Sequence, residues 1–86
     1  MLTDFASAKP LVGLKQSRKA VADGTAECAY IAKNADPAIT EPFATLCEEK
    51  GIKTVWAETM EELGHACGIN VGAAVAVLTK QHTDNI

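Results

Sequence analysis

Lys9, Lys15, Arg18 and Lys19 place four cations in an eleven-residue stretch that holds no acid. Gly13 precedes Leu14-Lys15-Gln16 at a predicted helix start. That order puts uncapped backbone N–H groups, the positive end of a helix dipole and cationic side chains in one place. Together they suit a phosphate. The chain as a whole is acidic, with 8 Lys and Arg against 11 Asp and Glu and a net charge of −3. A basic corner on an acidic protein points to a localised RNA or phosphate site, not to diffuse polyanion binding. Taken alone, a Lys/Arg cluster on a helix also fits a solvated face.

The charge distribution favours the site. From Asp36 to Glu62 there are seven acids (Asp36, Glu41, Glu48, Glu49, Glu58, Glu61, Glu62) and two cations (Lys50, Lys53). If the helix carrying the first of these acids lies away from the basic helix start, it repels nucleic acid on that side and confines contact to one edge.

Other chemistries have less support. Cys28, Cys47 and Cys67 are odd in number and widely spaced, unlike a disulfide framework, and they read as buried thiols in a reducing compartment. A metal site would recruit His65 and Cys67, with His82 as a third candidate, but no C-x-x-C pair accompanies them. His65 has no evident Ser or Asp partner, and nothing in the sequence would depress the Cys67 pKa. The glycines form no phosphate-loop or dinucleotide fingerprint. Glu48-Glu49 and Glu61-Glu62 are adjacent pairs in helical contexts and point to different faces. The chain therefore reads as a non-enzyme with no cofactor and no metal.

These residues need a scaffold. Eighty-six residues make one domain over residues 1–86, and 48% hydrophobic content with 22% charge is that of a globular chain. Alanine supplies much of the apolar fraction, so close packing between layers is expected. No run approaches the roughly 18 apolar residues of a membrane span, and residues 1–10 lack the apolar stretch of a secretion signal. The chain reads as cytoplasmic, with no membrane partner.

Thr3 can cap a short helix through Ala8, anchored by Phe5 and closed by Pro10. Leu11-Val12-Gly13 is briefly extended. A helix is predicted over 14–23, ended by Gly24. Cys28-Ala29-Tyr30-Ile31-Ala32 reads as a buried strand. Asp36-Pro37 opens the longest helix, with Ile39, Phe43, Leu46 and Cys47 at helical spacing and Lys50-Gly51 at its end. A strand over 52–57 follows. Thr59-Met60-Glu61-Glu62 is a capping box before a short helix that Gly68 ends. Helix and strand compete over 71–78, and alternating Val75 and Val77 favour a strand from about Ala73. Residues 79–86 read as a frayed tail. Strands alternating with helices predict an α/β fold, a three-layer α-β-α sandwich on a mixed, roughly four-stranded sheet.

Four blocks carry a resemblance: Gly13-Leu14-Lys15-Gln16-Ser17-Arg18-Lys19-Ala20; Ile31-Ala32-Lys33-Asn34-Ala35-Asp36-Pro37; Cys47-Glu48-Glu49-Lys50-Gly51; and the run from Met60-Glu61-Glu62-Leu63-Gly64 through Gly68-Ile69-Asn70-Val71-Gly72 to Ala74. In this order, over roughly residues 9–78, the chain resembles the kink-turn-binding ribosomal proteins of the large-subunit L7Ae type, in their small bacterial YbxF-like branch. The resemblance implies binding of kink-turn RNA, a sharply bent internal loop with tandem sheared G·A pairs and a flipped-out base. It implies that Lys15, Gln16 and Lys19 contact the G·A pairs, with Gly13 allowing close backbone approach. It also implies that the loop Ile69, Asn70, Val71 and Gly72, edged by Ala73, lies on the flipped base.

The residue types suit these roles. Lys and Gln donate to guanine acceptors, and a splayed base needs an apolar surface. Without the resemblance, Ile69 and Val71 read as core residues flanking a turn. The implied partner is a structured ribosomal or regulatory RNA, with no DNA and a monomeric protein. The family's archaeal members carry Asn-Glu where this chain has Lys15-Gln16. The net charge of −3 is more acidic than is usual in the family and predicts weaker, more salt-sensitive binding. The alternative is a protein-interaction module of the same fold without RNA binding, working through the acidic helix from Asp36 to Lys50.

Overall fold

Gly13 turns the chain out of β1 (Leu11–Val12) at φ +105°, and α1 (Leu14–Ala22) starts on the next residue. This computed structural model describes residues 5–80. Ser17, Ala20 and Val21 form the buried stripe of α1. The helix ends at Asp23, whose carboxylate accepts from the Thr25 hydroxyl (2.8 Å) and backbone N–H (3.0 Å). These bonds, the hydroxyl's foremost, hold the Asp23 carboxyl below its ordinary pKa.

In α2 (Pro37–Glu49) the Asp36 side chain accepts from Ala38 N–H at 2.9 Å, with Pro37 in the first turn. The helix continues through Pro42, which sits on its exposed side. The third helix, α3 (Met60–Cys67), is capped by Thr59 Oγ1, which accepts from Glu62 N–H at 3.0 Å. The reciprocal half of the capping box is displaced. Glu62 Oε1 accepts from Glu58 N–H, one residue before the cap. Asn34 Oδ1 takes the Met60 N–H at 2.8 Å and so ties the chain after β2 (Ala26–Ala32) to the start of α3.

With β3 (Lys53–Ala57) and β4 (Val75–Thr79), the sheet has the order β1-β4-β2-β3. The β2–β3 pair is parallel and joined through α2, while β4 runs antiparallel to both β1 and β2. Two small cores lie on its opposite faces. Ala29, Ile31, Val75 and Val77 meet Ala20, Val21, Phe43 and Cys47 of α1 and α2. On the other face, Ala32, Ala57 and Ala76 meet Leu63 and Cys67 of α3. Phe5 stacks on Tyr30 at 4.4 Å and extends that second layer. The architecture is the expected three-layer sandwich on a mixed four-stranded sheet.

Boundaries differ from the sequence reading where long-range pairing decides them. The second strand begins at Ala26, and a register shift between Ala26 and Cys28 hides its first residues from an alternation test. The last strand starts at Val75 and runs through Thr79, one residue into the segment read as a tail, and Lys80 N–H bonds Thr25 O. In place of the expected first helix, Ala6–Ala8 form a single 3-10 turn closed by Lys9 at φ 55°. The proposed Thr3 cap and residues 81–86 lie outside the described residues. Trp56 is 47% exposed on the edge strand β3.

Cys47 and Cys67 are buried and Cys28 half-buried, all as free thiols. Burial pushes the Cys47 thiol up to about 11. Burial first, then a hydrogen bond with Cys28, pushes Tyr30 up to about 12. Both groups are neutral acids whose pKa rises on folding, from 9.0 and 10.0 respectively. Their stabilising contribution is complete below about pH 9 and is lost as pH rises through 11 and 12. Urea midpoints followed by circular dichroism are expected to hold level up to about pH 9 and fall above it. Tyr30→Phe should flatten the upper part of that fall, and an unchanged profile in this variant would refute the assignment.

Candidate nucleic-acid interface

The strand directions bring three helix starts to one end of the sheet. There β1, β2 and β3 end and β4 begins, so α1, α2 and α3 all start from the same rim. Gly13 N–H donates to Val75 O at 3.1 Å. This bond sets the cationic helix start directly beside the end of the 69–74 loop.

On α1 the burial pattern sorts the side chains. Ser17 and Ala20 face inward, while Lys15, Gln16, Arg18 and Lys19 are exposed. Lys15 and Lys19 are four residues apart and Lys19 lies between the directions of Lys15 and Gln16, so the three share one flank. Arg18 turns the other way and lines a groove of about 480 Å³ between α1 and α2, with Glu49 also on its wall. No side chain caps α1 and no acid occupies its first turn. A Cβ at Gly13 would meet nothing within 4 Å. Glycine is required there for its positive φ, and the space above it is open to a ligand.

The loop after α3 is shaped by a contact that spacing alone did not reveal. A Cβ built at Gly64 would overlap the carbonyl oxygen of Val71, and one at Gly72 would lie 3.1 Å from Met60 Cβ. Ile69 N–H bonds Gly64 O at 3.1 Å and Ala73 N–H bonds Met60 O at 3.0 Å. The loop is thus laid flat on α3. Ile69 is half-buried against the α3-side core, whereas Asn70 and Gly72 are exposed and Val71 is 69% exposed. The structure separates two residues that read alike in sequence: Ile69 anchors the loop and Val71 is presented to solvent. The loop walls a hollow of about 610 Å³ together with Glu61 and His65, neither of which was singled out as a binding residue. Glycine in a helix interior costs about 1 kcal/mol relative to alanine, and that signal alone could have marked Gly64 as a packing site.

One expectation needs correcting. The acidic helix is not remote from the basic one, because α1 and α2 lie side by side on the same face of the sheet. Both start at the rim, so Glu48 and Glu49 in the last turn of α2 are carried to its far end. Asp36, Glu58, Glu61 and Glu62 stay at the rim itself, as cap, paired or first-turn residues, so acids and cations share that end of the molecule. Among the described residues no group of three or more His, Cys, Asp or Glu side chains could hold a metal ion, and no helix is long and apolar enough to cross a membrane.

Comparison with known proteins supplies the ancestry. The profile of the ribosomal protein L7Ae/L30e/S12e/Gadd45 family matches residues 6–86. The chain belongs to this family. An RNA-binding protein of Caldanaerobacter subterraneus subsp. tengcongensis is 50% identical over 68 residues, covering 79% of this chain and 83% of that protein. Large ribosomal subunit protein eL8 of Halobacterium salinarum is 37% identical over 77% of this chain, which spans 56% of eL8. Among solved structures, the 15.5kD RNA binding protein of Giardia lamblia superposes with a TM-score of 0.81 at 35% identity. That match covers 88% of this chain and 65% of the Giardia chain. The L7Ae-type fold is therefore matched in both sequence and structure.

Proposed function

We propose that the chain binds structured RNA and stabilises the kink-turn bend. Lys15, Gln16 and Lys19 address the sheared G·A pairs, with Gly13 and the uncapped start of α1 beside them. Val71, flanked by Asn70 and Gly72 and anchored through Ile69, supplies the surface on which the flipped base lies. The observation that carries this reading is the Gly13–Val75 hydrogen bond. It joins a cationic, uncapped helix start to a loop that exposes an apolar side chain. A splayed base needs apolar area and its phosphates need cations, and this rim offers both within one contact surface. Relatives named as RNA-binding proteins and as a large-subunit ribosomal protein support a structured-RNA partner and a place in a ribonucleoprotein.

Binding favours the bent conformer because the rim complements that shape alone. The test is titration of a fluorophore-paired kink-turn RNA, and of the same RNA with Watson–Crick pairs in place of G·A, at moderate salt and low magnesium. End-to-end shortening of the first RNA only is the expected result. Equal weak binding to both, or none, would move the function to the protein-interaction alternative.

A further inference from the structure

Lys33 Nζ and Glu58 Oε2 form an ion pair at 3.0 Å on the same rim. The two residues follow neighbouring parallel strands, where Ala32 pairs with Ala57 and Lys33 N–H bonds Ala57 O at 2.8 Å. Ala32 N–H in turn bonds Ala74 O at 2.9 Å, one residue from the carbonyl that holds Gly13. Two strand spacings, about 10 Å, separate the Gly13 backbone from Ile31, which pairs with the same Val75, and Lys33 lies two residues further along. The pair is open to water, with the side chains 53% and 74% exposed, so it is screened and easily exchanged. Glu58's backbone is fixed independently of its carboxylate, by the bond from its N–H to Glu62 Oε1.

Resting on the RNA-binding reading, we propose that Glu58 is an internal competitor for RNA phosphate. It neutralises Lys33 in the free protein and yields it to a backbone phosphate that reaches this corner of the rim. A cation held in reserve adds nothing to loose, non-specific attraction. It contributes only when a well-seated RNA places a phosphate where the carboxylate now sits. Glu58 thus lowers affinity overall and sharpens the preference for a fitted bend.

The test is a double-mutant cycle with Glu58→Gln, Lys33→Ala and the double variant, titrated against the kink-turn RNA and its Watson–Crick control over a range of potassium chloride. Glu58→Gln is expected to tighten kink-turn binding about 3- to 10-fold. Its log–log salt slope on the Watson–Crick control should steepen by about 0.7 to 0.9, the signature of one phosphate that the released Lys33 neutralises in loose binding, while the slope on the kink-turn RNA, where Lys33 meets phosphate in both proteins, should hold. Combining it with Lys33→Ala should cancel both changes. An equal gain in the Lys33→Ala background would show a general field effect and overturn the proposal, as would wild-type affinity in Glu58→Gln. Failure of the wild-type chain to bend the RNA would overturn the RNA-binding reading and this inference with it, so the two failures are told apart in the first titration.

Discussion

Replacing Gly64 with alanine is expected to lower the melting temperature by roughly 5–20 °C and to reduce kink-turn RNA affinity at least tenfold. The reason is a backbone contact. The Cβ at position 64 would overlap the Val71 carbonyl oxygen, and neither the helix nor the loop can yield without losing hydrogen bonds. Ile69 N–H is bonded to Gly64 O, and Ala73 N–H to Met60 O, so displacement of Val71 pulls against both ends of the loop. Overpacking of this kind costs about 1–3 kcal/mol, and each kcal/mol shifts the melting temperature of a domain this size by roughly 4–8 °C. Val71→Asp separates the two consequences. Its side chain is 69% exposed, so the variant should melt within a few degrees of wild type while still losing RNA affinity. Full RNA affinity in Val71→Asp would show that the loop only braces α3.

The contrast between Gly64 and Ser17 shows what spacing could and could not reveal. The helices were legible because their signals are local: Asp36-Pro37, Thr59 with Glu62, and Gly68 each act within one turn. Ser17 lies in a run of polar residues, yet it is fully buried and its hydroxyl has no partner among the described residues. Its position three residues after Leu14 and three before Ala20 would have placed it on the inner stripe. Gly64 could be flagged as costly in a helix, but what it makes room for is set by a loop seven residues later.

Sheet order is the larger gap. Nothing local says that β4 inserts between β1 and β2, yet that insertion puts Val75 beside Gly13 and joins the two halves of the rim. The resemblance brought Lys15, Gln16 and Lys19 together with Ile69, Asn70, Val71 and Gly72. Spacing alone left them as two unrelated segments. A second non-local pairing, the parallel β2–β3 ladder, accounts for the approach of Lys33 to Glu58 across twenty-five residues of chain.

The second large effect is expected on α1. Lys19→Ala should weaken kink-turn binding by about 5- to 150-fold, the range that about 1–3 kcal/mol of a direct polar contact allows. Gln16→Ala should fall in the same range. Both side chains are exposed on the flank shared with Lys15, so neither truncation removes core packing, and melting temperatures should stay within a few degrees of wild type. Salt dependence then distinguishes how each residue acts. Gln16 is neutral, so its loss should leave the log–log salt slope unchanged while abolishing discrimination against the Watson–Crick control. If Lys19 contacts a base edge, its loss should erode that discrimination. If it contacts a phosphate, binding to both RNAs should fall together and the slope should shrink by about 0.7 to 0.9. Arg18 is the internal control. It points into the groove beside α2, so Arg18→Ala should change affinity for both RNAs by less than either flank variant. Wild-type affinity in Lys19→Ala and Gln16→Ala, with a large loss in Arg18→Ala, would move the contact surface from the rim to the α1–α2 groove.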